Sequence, residues 1–234
     1  MNPTSRGKAH NLERLAAIVG NDWASSEYYD RAEKTDWVET FWAEHSPFLR
    51  FFKELDLTSV LELACGHGRH AAKLGAKAQK VILVDINVGN VDFCKQRFKD
   101  SSQFQFILTN GYSLEPVEDG ACSAVFSYDA MVHFDSDVVR AYLRETARVL
   151  RRGGRALFHH SNYGDNPGGD VHDNPRWRNF MTENLFQHYA AKCGLRYLAS
   201  QVLDWDGHPA LDCLTLLELP VDHHFEEWGL HTNV

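Results

Sequence analysis

The stretch SVLELACGHGRHAAK, residues 59–73, constrains the fold of this chain more than any other. An apolar run leaves through Gly66-His67-Gly68 straight into a helical pattern. Glycines at such an exit reach backbone conformations closed to other residues and let the main chain approach a ligand with no Cβ in the way. From Thr58 onward the same rhythm repeats. Short apolar runs at 59–64, 80–85, 104–109, 122–128 and 155–160 alternate with helical stretches at 67–77, 88–99 and 136–150. Continuous rather than alternating apolar runs suit strands covered on both faces, and the βαβ order predicts a parallel sheet. The third helix has an N-cap environment in Asp135-Ser136-Asp137 and a stop at Arg152-Gly153-Gly154.

The last third of the chain breaks that rhythm. After a helix predicted at about 180–193, residues 195–204 and 210–219 read as two strands joined by Trp205-Asp206-Gly207-His208-Pro209. A connection so short joins antiparallel neighbours. At the other end, residues 9–19, 23–33 and 36–55 read as helices. The third carries Trp37, Phe41, Trp42, Phe48 and Phe52 at helical spacing despite Pro47. That stripe either packs a helix on the main domain or forms a lid, with Tyr28, Tyr29 and Trp37 facing a ligand. The expected organisation is a helical cap over 1–57, an α/β domain over 58–219 and a tail over 220–234. The tail has no assigned role; covering the partner in a homodimer is one option, with His223 and His224 facing solvent.

Composition narrows the class. The 234 residues suffice for one large α/β domain, and apolar (44%) and charged (24%) fractions are those of an ordinary globular protein. No apolar run approaches the roughly 20 residues of a membrane span, so no membrane partner is expected. The N-terminal MNPTSRGKAHNLERL lacks the apolar core of a signal peptide, which predicts a cytoplasmic location. Five scattered cysteines without a CxxC argue against a zinc ribbon or disulfide framework, and no metal is expected. A net charge of −8, with no basic cluster longer than Arg151-Arg152, predicts no nucleic-acid partner.

Read literally, Gly66-His67-Gly68-Arg69-His70-Ala71 fits GxGxxA, and Asp85 stands 19 residues beyond Gly66 at the next strand tip, where an acid can bind a ribose. The motif alone leaves a dinucleotide and S-adenosylmethionine both open. Glu62, inside the strand before the glycines, answers the ammonium group of a methyl donor and has no clear use for a dinucleotide. No tyrosine has a lysine four residues on, as a short-chain dehydrogenase would need. The helical leader and the terminal hairpin also favour the methyl donor.

On VLELACGHGRHA, VILVDIN, FILTNG, VFSYDAMVHF and RVLRRGGRALFHHSN, in that order and spacing, the chain resembles the class I S-adenosylmethionine-dependent methyltransferases over roughly 58–219. Ala64 departs from the family's frequent first glycine. The resemblance implies a Rossmann-like α/β fold, a seven-stranded mostly parallel sheet in the order 3-2-1-4-5-7-6 that ends in an antiparallel hairpin, behind an N-terminal helical extension. It implies that Glu62, Ala64, Gly66 and Gly68 surround the methionine part of the donor. Asp85 would hold the ribose, Ile86 the adenine, Asn110 and Gly111 the adenine edge, and Tyr128 would lie near the sulfonium.

Methyl transfer asks the protein for alignment and, for a hydroxyl acceptor, a base. His133 leaves strand four and is the first candidate base, because an ordinary imidazole titrates near neutrality. Asp129 could orient a hydroxyl or a histidine. Adjacent strand residues face opposite ways, so one of His159 and His160 should face the pocket, and His160 is nearer the tip. The loop NYGDNPGGDVHDNPRWRN, residues 162–179, is long and polar, as functional lids are. Tyr29, Trp37, Asn162, Arg176 and Trp177 are the candidate acceptor-binding residues. FSYDAMVHFD, HHSN, Arg176-Trp177 and Leu211-Asp212-Cys213 also resemble, more loosely, methyltransferases of sugar or polysaccharide modification. The expectation is O-methylation of a small hydroxylated or saccharide acceptor. N-methylation of a small amine, a nicotinamide-dependent oxidoreductase and a non-catalytic donor-binding protein are the alternatives.

Overall fold

The computed structural model describes residues 3–24, 27–34 and 37–221. Seven strands form one sheet: β1 (Ser59–Leu63), β2 (Lys80–Asp85), β3 (Phe104–Leu108), β4 (Cys122–Ser127), β5 (Leu150–Ser161), β6 (Arg196–Trp205) and β7 (His208–Glu218). Their order is β3-β2-β1-β4-β5-β7-β6, as the resemblance implied. The first five are parallel, and β7 pairs antiparallel with both β5 and β6. Every residue of β4 is buried, as a strand covered on both faces requires.

The pleat sorts the core into two halves. Leu61, Leu63, Ile82, Val84 and Val125 face one way, under α7 (Ser136–Val149) and α8 (Glu183–Lys192). Val60, Val81, Leu83, Ala124 and Phe126 face the other. Asp135 caps α7 by accepting the Asp137 N–H at 2.8 Å. The helices after β1 and β2 are α5 (Ala71–Leu74), shorter than the predicted 67–77, and α6 (Val88–Arg97).

The N-terminal helices are α1 (Pro3–Ala24), α2 (Tyr28–Lys34), α3 (Trp37–Phe41) and α4 (Pro47–Phe52). The single helix predicted over 36–55 is therefore two. Proline cannot supply the N–H that a helix interior needs, but it suits a first turn. Here Ser46 caps α4 by accepting the Leu49 N–H at 3.0 Å, and Pro47 opens it. α4 buries Phe48 and Phe52 in the half-core of Val60 and Phe126, whereas α1 lays Ala16 in the opposite half, beside Val138 and Tyr142. The segment between them crosses the C-terminal ends of the strands, so α2 roofs the crevice there. Of the predicted tail, residues 222–234, including His223 and His224, lie outside the described residues.

Candidate active site

One cavity opens at the C-terminal ends of β1, β2 and β4, roofed by α1 and α2. Its floor is the bend after β1. Ala64, Gly66 and Gly68 all have positive φ, at 55°, 52° and 70°. A Cβ on Gly66 would stand 2.6 Å from the Tyr29 ring, so this position admits only glycine while α2 lies over it. Asp85, at the tip of β2, ties the bend down. Its Oδ2 accepts the Gly66 N–H at 2.9 Å, and its Oδ1 accepts from the Asn87 N–H and the Asn90 amide. Burial pushes its carboxyl above the ordinary aspartate range, against the pull of those donors. Glu62 is buried in β1, and its Oε2 has no hydrogen-bond partner among the described residues. Burial pushes its carboxyl up to about 8, only partly opposed by the Arg69 charge. Ile86 and Gly111 close the far wall, where a Cβ on Gly111 would meet Ile86 Cδ1 at 2.5 Å.

A second polar group lines the same cavity. Arg69 Nη2 donates to the Tyr28 hydroxyl at 2.8 Å and to Asp129 Oδ2 at 2.9 Å, and the Tyr28 hydroxyl donates to that same carboxylate oxygen. Asp129 holds a left-handed φ of 58°. Its amide donates to His159 Nδ1 at 3.1 Å, which leaves the His159 proton on Nε2, facing Asp212 Oδ2 at 3.0 Å. Asp212 in turn takes a two-pronged contact from Arg178, Nε to Oδ1 at 2.8 Å and Nη2 to Oδ2 at 2.6 Å. His133 donates from Nδ1 to the Trp177 carbonyl at 2.8 Å, leaving its Nε2 unprotonated. Burial, helped by the Arg178 charge, holds its conjugate acid at about 4.

The structure brings Glu62, Ala64, Gly66, Asp85, Ile86, Gly111, Tyr128, Asp129, His133 and Tyr29 to this cavity. Others of the predicted residues lie elsewhere. His160 points to the opposite face of β5, stacked on Phe186 at 3.8 Å and bonded to Thr215, while strand alternation turns His159 the other way, fully buried behind the cavity wall against Tyr128 and the Asp129 amide. His133 is present but is not the near-neutral base expected, because its burial disfavours the charged ring. Asn110 is exposed and caps its own turn through the Tyr112 and Ser113 N–H groups. Gly68 faces Phe98 and Cys94, making room for α6 rather than for a ligand. Trp37 is exposed, Arg176 pairs with Asp206, and Asn162 joins the Ala210 carbonyl to the Glu183 N–H. Trp177 contributes its carbonyl to His133, with its ring 5.9 Å from Trp23. Arg69, His70 and Trp23 line the cavity and were missed, although Arg69 and His70 stand inside the glycine motif.

Known proteins agree with this architecture. Residues 60–154 match a family described as a methyltransferase domain. The tRNA (carboxymethyluridine(34)-5-O)-methyltransferase ALKBH8 of Mus musculus is 35% identical over 121 residues, covering 49% of this chain and 17% of its own length. The chain thus spans about a sixth of that relative. Among solved structures, geranyl diphosphate C-methyltransferase from Streptomyces coelicolor A3(2), complexed with Mg2+, geranyl diphosphate and S-adenosyl-L-homocysteine, superposes with a TM-score of 0.65. Identity there is 12%, over 87% of this chain and 97% of that one. A chain of the complex between the Haloferax volcanii Trm112 methyltransferase activator and its methyltransferase gives 0.62 at 17% identity, again over 87% and 97%. Residues 60–154 thus match a methyltransferase domain, and the α/β unit that contains them has the fold of the class I S-adenosylmethionine-dependent methyltransferases. The cofactor of that class is S-adenosyl-L-methionine, which removes the nicotinamide alternative.

The exclusion of nucleic acid does not stand. A tRNA methyltransferase is among the relatives and a fold neighbour is complexed with a protein activator, so a net charge of −8 cannot rule on partners. Whole-chain charge says little about one local surface. Among the described residues no helix is long and apolar enough to cross a membrane.

Proposed function

We propose that this chain transfers the methyl group of S-adenosylmethionine to an oxygen atom of an acceptor held in the crevice beneath its N-terminal helices. One observation carries this reading: a donor cradle (Glu62, Gly66, Asp85, Gly111) and a separate polar group (Tyr28, Arg69, Asp129, His133) line a single cavity. The cofactor brings an already activated methyl group, so the protein's part is alignment and exclusion of water. Asp85 suits the ribose hydroxyls, Ile86 and Gly111 the adenine, and Tyr128 the space between donor and acceptor. Glu62 Oε2, buried and without a partner among the described residues, is where an ammonium group would be satisfied. Helices α1 to α4 act as a cap on the domain of residues 58–219. An oxygen acceptor is supported by the name of the ALKBH8 relative, which places the methyl on an oxygen. His133, neutral with its Nε2 lone pair unprotonated, suits orienting an acceptor by accepting a hydrogen bond. Asp129 is the carboxylate at hand for a hydroxyl proton. Five free cysteines suit the reducing cytoplasm.

Calorimetry with S-adenosylhomocysteine and NAD tests the donor assignment. Binding of the first and not the second is expected; the reverse defeats it. Turnover of labelled donor against metabolite and RNA pools then separates an enzyme from a non-catalytic binder. The same titration tests Glu62. Its carboxyl, held up at about 8 by burial, is protonated at pH 7 until a cation arrives and lowers it. Binding at pH 7 is therefore expected to release close to one proton, read as a dependence of the enthalpy on the buffer's ionisation heat. Glu62→Gln should abolish that dependence, and a native protein without it would contradict the ammonium assignment.

A further inference from the structure

Two hydrogen-bond donors on consecutive residues of the glycine bend have no partner among the described residues. Arg69 uses Nη2 for Tyr28 and Asp129, while its Nη1 is buried and unbonded. His70 accepts the Trp42 indole N–H on Nδ1 at 3.1 Å. Indole only donates, so the ring proton of the neutral imidazole sits on Nε2, which is also buried and unbonded. His70 is 2% exposed, and burial, with Arg69 and His159 nearby, holds its pKa well below the ordinary value, so Nε2–H is a lasting donor at neutral pH. Both residues line the crevice, and both lie against Phe41, the Arg69 guanidinium carbon 5.9 Å and the His70 ring 6.2 Å from that ring's centre. A buried donor left unpaired is costly, more so when charged, so two at one cavity call for a ligand that brings acceptors.

We propose that the acceptor group is a carboxylate, received by Arg69 Nη1 and His70 Nε2–H. This rests on the donor reading above and names the substrate class for the same crevice. A carboxylate brings two oxygens and only acceptors, matching two unpartnered donors on neighbouring residues of one cavity wall, whereas a hydroxyl would also have to place its own hydrogen. The step balances without a base. A carboxylate oxygen forms the new O–CH3 bond with a lone pair as the S–CH3 bond breaks, the sulfur keeps that electron pair, and a methyl ester and a neutral thioether result with no proton to remove. That agrees with a crevice whose histidines His70 and His133 are both held neutral by burial. Asp129 then anchors Arg69 instead of taking a proton.

The test uses the full chain loaded with S-adenosylhomocysteine and 15N-labelled at histidine and arginine. Acetate and phenylacetate are titrated against ethanol and 2-phenylethanol. The carboxylates are expected to shift the His70 Nε2–H and Arg69 Nη signals and to bind about tenfold or more tightly than the matched alcohols. His70→Phe and Arg69→Met should each erase most of that preference while the nucleoside still binds; should Arg69→Met fail to fold, His70→Phe decides. Equal response to acid and alcohol overturns the proposal. So does the absence of a carboxylate-specific shift, which a resident water on the two donors would produce, and so does a preference that survives in the folded variants. If the native chain does not bind S-adenosylhomocysteine, the donor reading fails instead, whatever the carboxylates do.

Discussion

Asp212→Ala is expected to destabilise the fold by about 3–5 kcal/mol, the usual cost of removing one partner from a buried ion pair. Asp212 is fully buried and sits between two buried groups, Arg178 and His159. Without it, the Arg178 charge is stranded in the interior beside the Trp205 ring and the His159 N–H loses its acceptor. Denaturant unfolding measures the loss. Asp212→Asn keeps the shape and part of the hydrogen bonding, so it should fall between Ala and the native residue. The pH dependence has a definite sign. Burial alone would raise the Asp212 carboxyl, but the hydrogen bonds and charges of Arg178 and His159 outweigh it and hold the group at about 2. Stability from this carboxylate is therefore full above the ordinary aspartate pKa near 3.9 and is lost as pH falls through about 2. In Asp212→Ala that acid-limb contribution should vanish. The effect should also reach the crevice, because His159 orients the Asp129 amide. A loss below about 1 kcal/mol would mean the network carries little of the fold.

How much of this was legible in the sequence follows from the range of each interaction. The strands, the glycine bend and Asp85 are written in contiguous residues, and the pleat and the βαβ order do the rest. Asp85 reaches Gly66 across a 19-residue interval that a strand and a helix fill almost without choice. Arg69 and His70 stood in plain view within the motif. What gives them meaning is Tyr28 and Trp42, brought back over the bend from 41 and 28 residues earlier. No local pattern announces that return. His159 and His160 show a narrower failure. Alternation promised that one would face the crevice, yet His160 lies on the Phe186 side and His159 stops behind the cavity wall; the equally apolar neighbours Leu157 and Phe158 fall in opposite halves of the core without any difference in residue type to tell them apart. In the 162–179 loop the polar composition was noticed, but Arg178, not Arg176, turns inward. The left-handed backbone at Arg176 and Trp177 redirects the chain there, and neither residue type foretells it.

Asp85→Ala is expected to weaken S-adenosylhomocysteine binding on the order of 100-fold, about 3 kcal/mol, if two ribose hydroxyls each lose a bond of about 1.5 kcal/mol to a charged acceptor. The Asp85 oxygens already accept three bonds from this chain, and a carboxylate has about four acceptor sites, so one ribose hydroxyl finds a free site and the second takes the place of an internal donor such as the Asn90 amide. Those internal bonds complicate the variant, since the Gly66 N–H loses its partner and the bend loosens. Two controls separate the causes. Asn90→Ala removes one internal donor and leaves the carboxylate, so a few-fold loss there reports the support alone. Asp85→Asn keeps an acceptor oxygen but no charge, and should fall between Asn90→Ala and Asp85→Ala. Because burial holds this carboxyl above the usual aspartate range, native affinity should decline on acidification earlier than an exposed aspartate would allow. The decline should be missing in Asp85→Asn. Calorimetry across pH reads both. Binding by Asp85→Ala within about twofold of native would mean that the ribose is held elsewhere, and the carboxylate would then be a brace for the bend and nothing more.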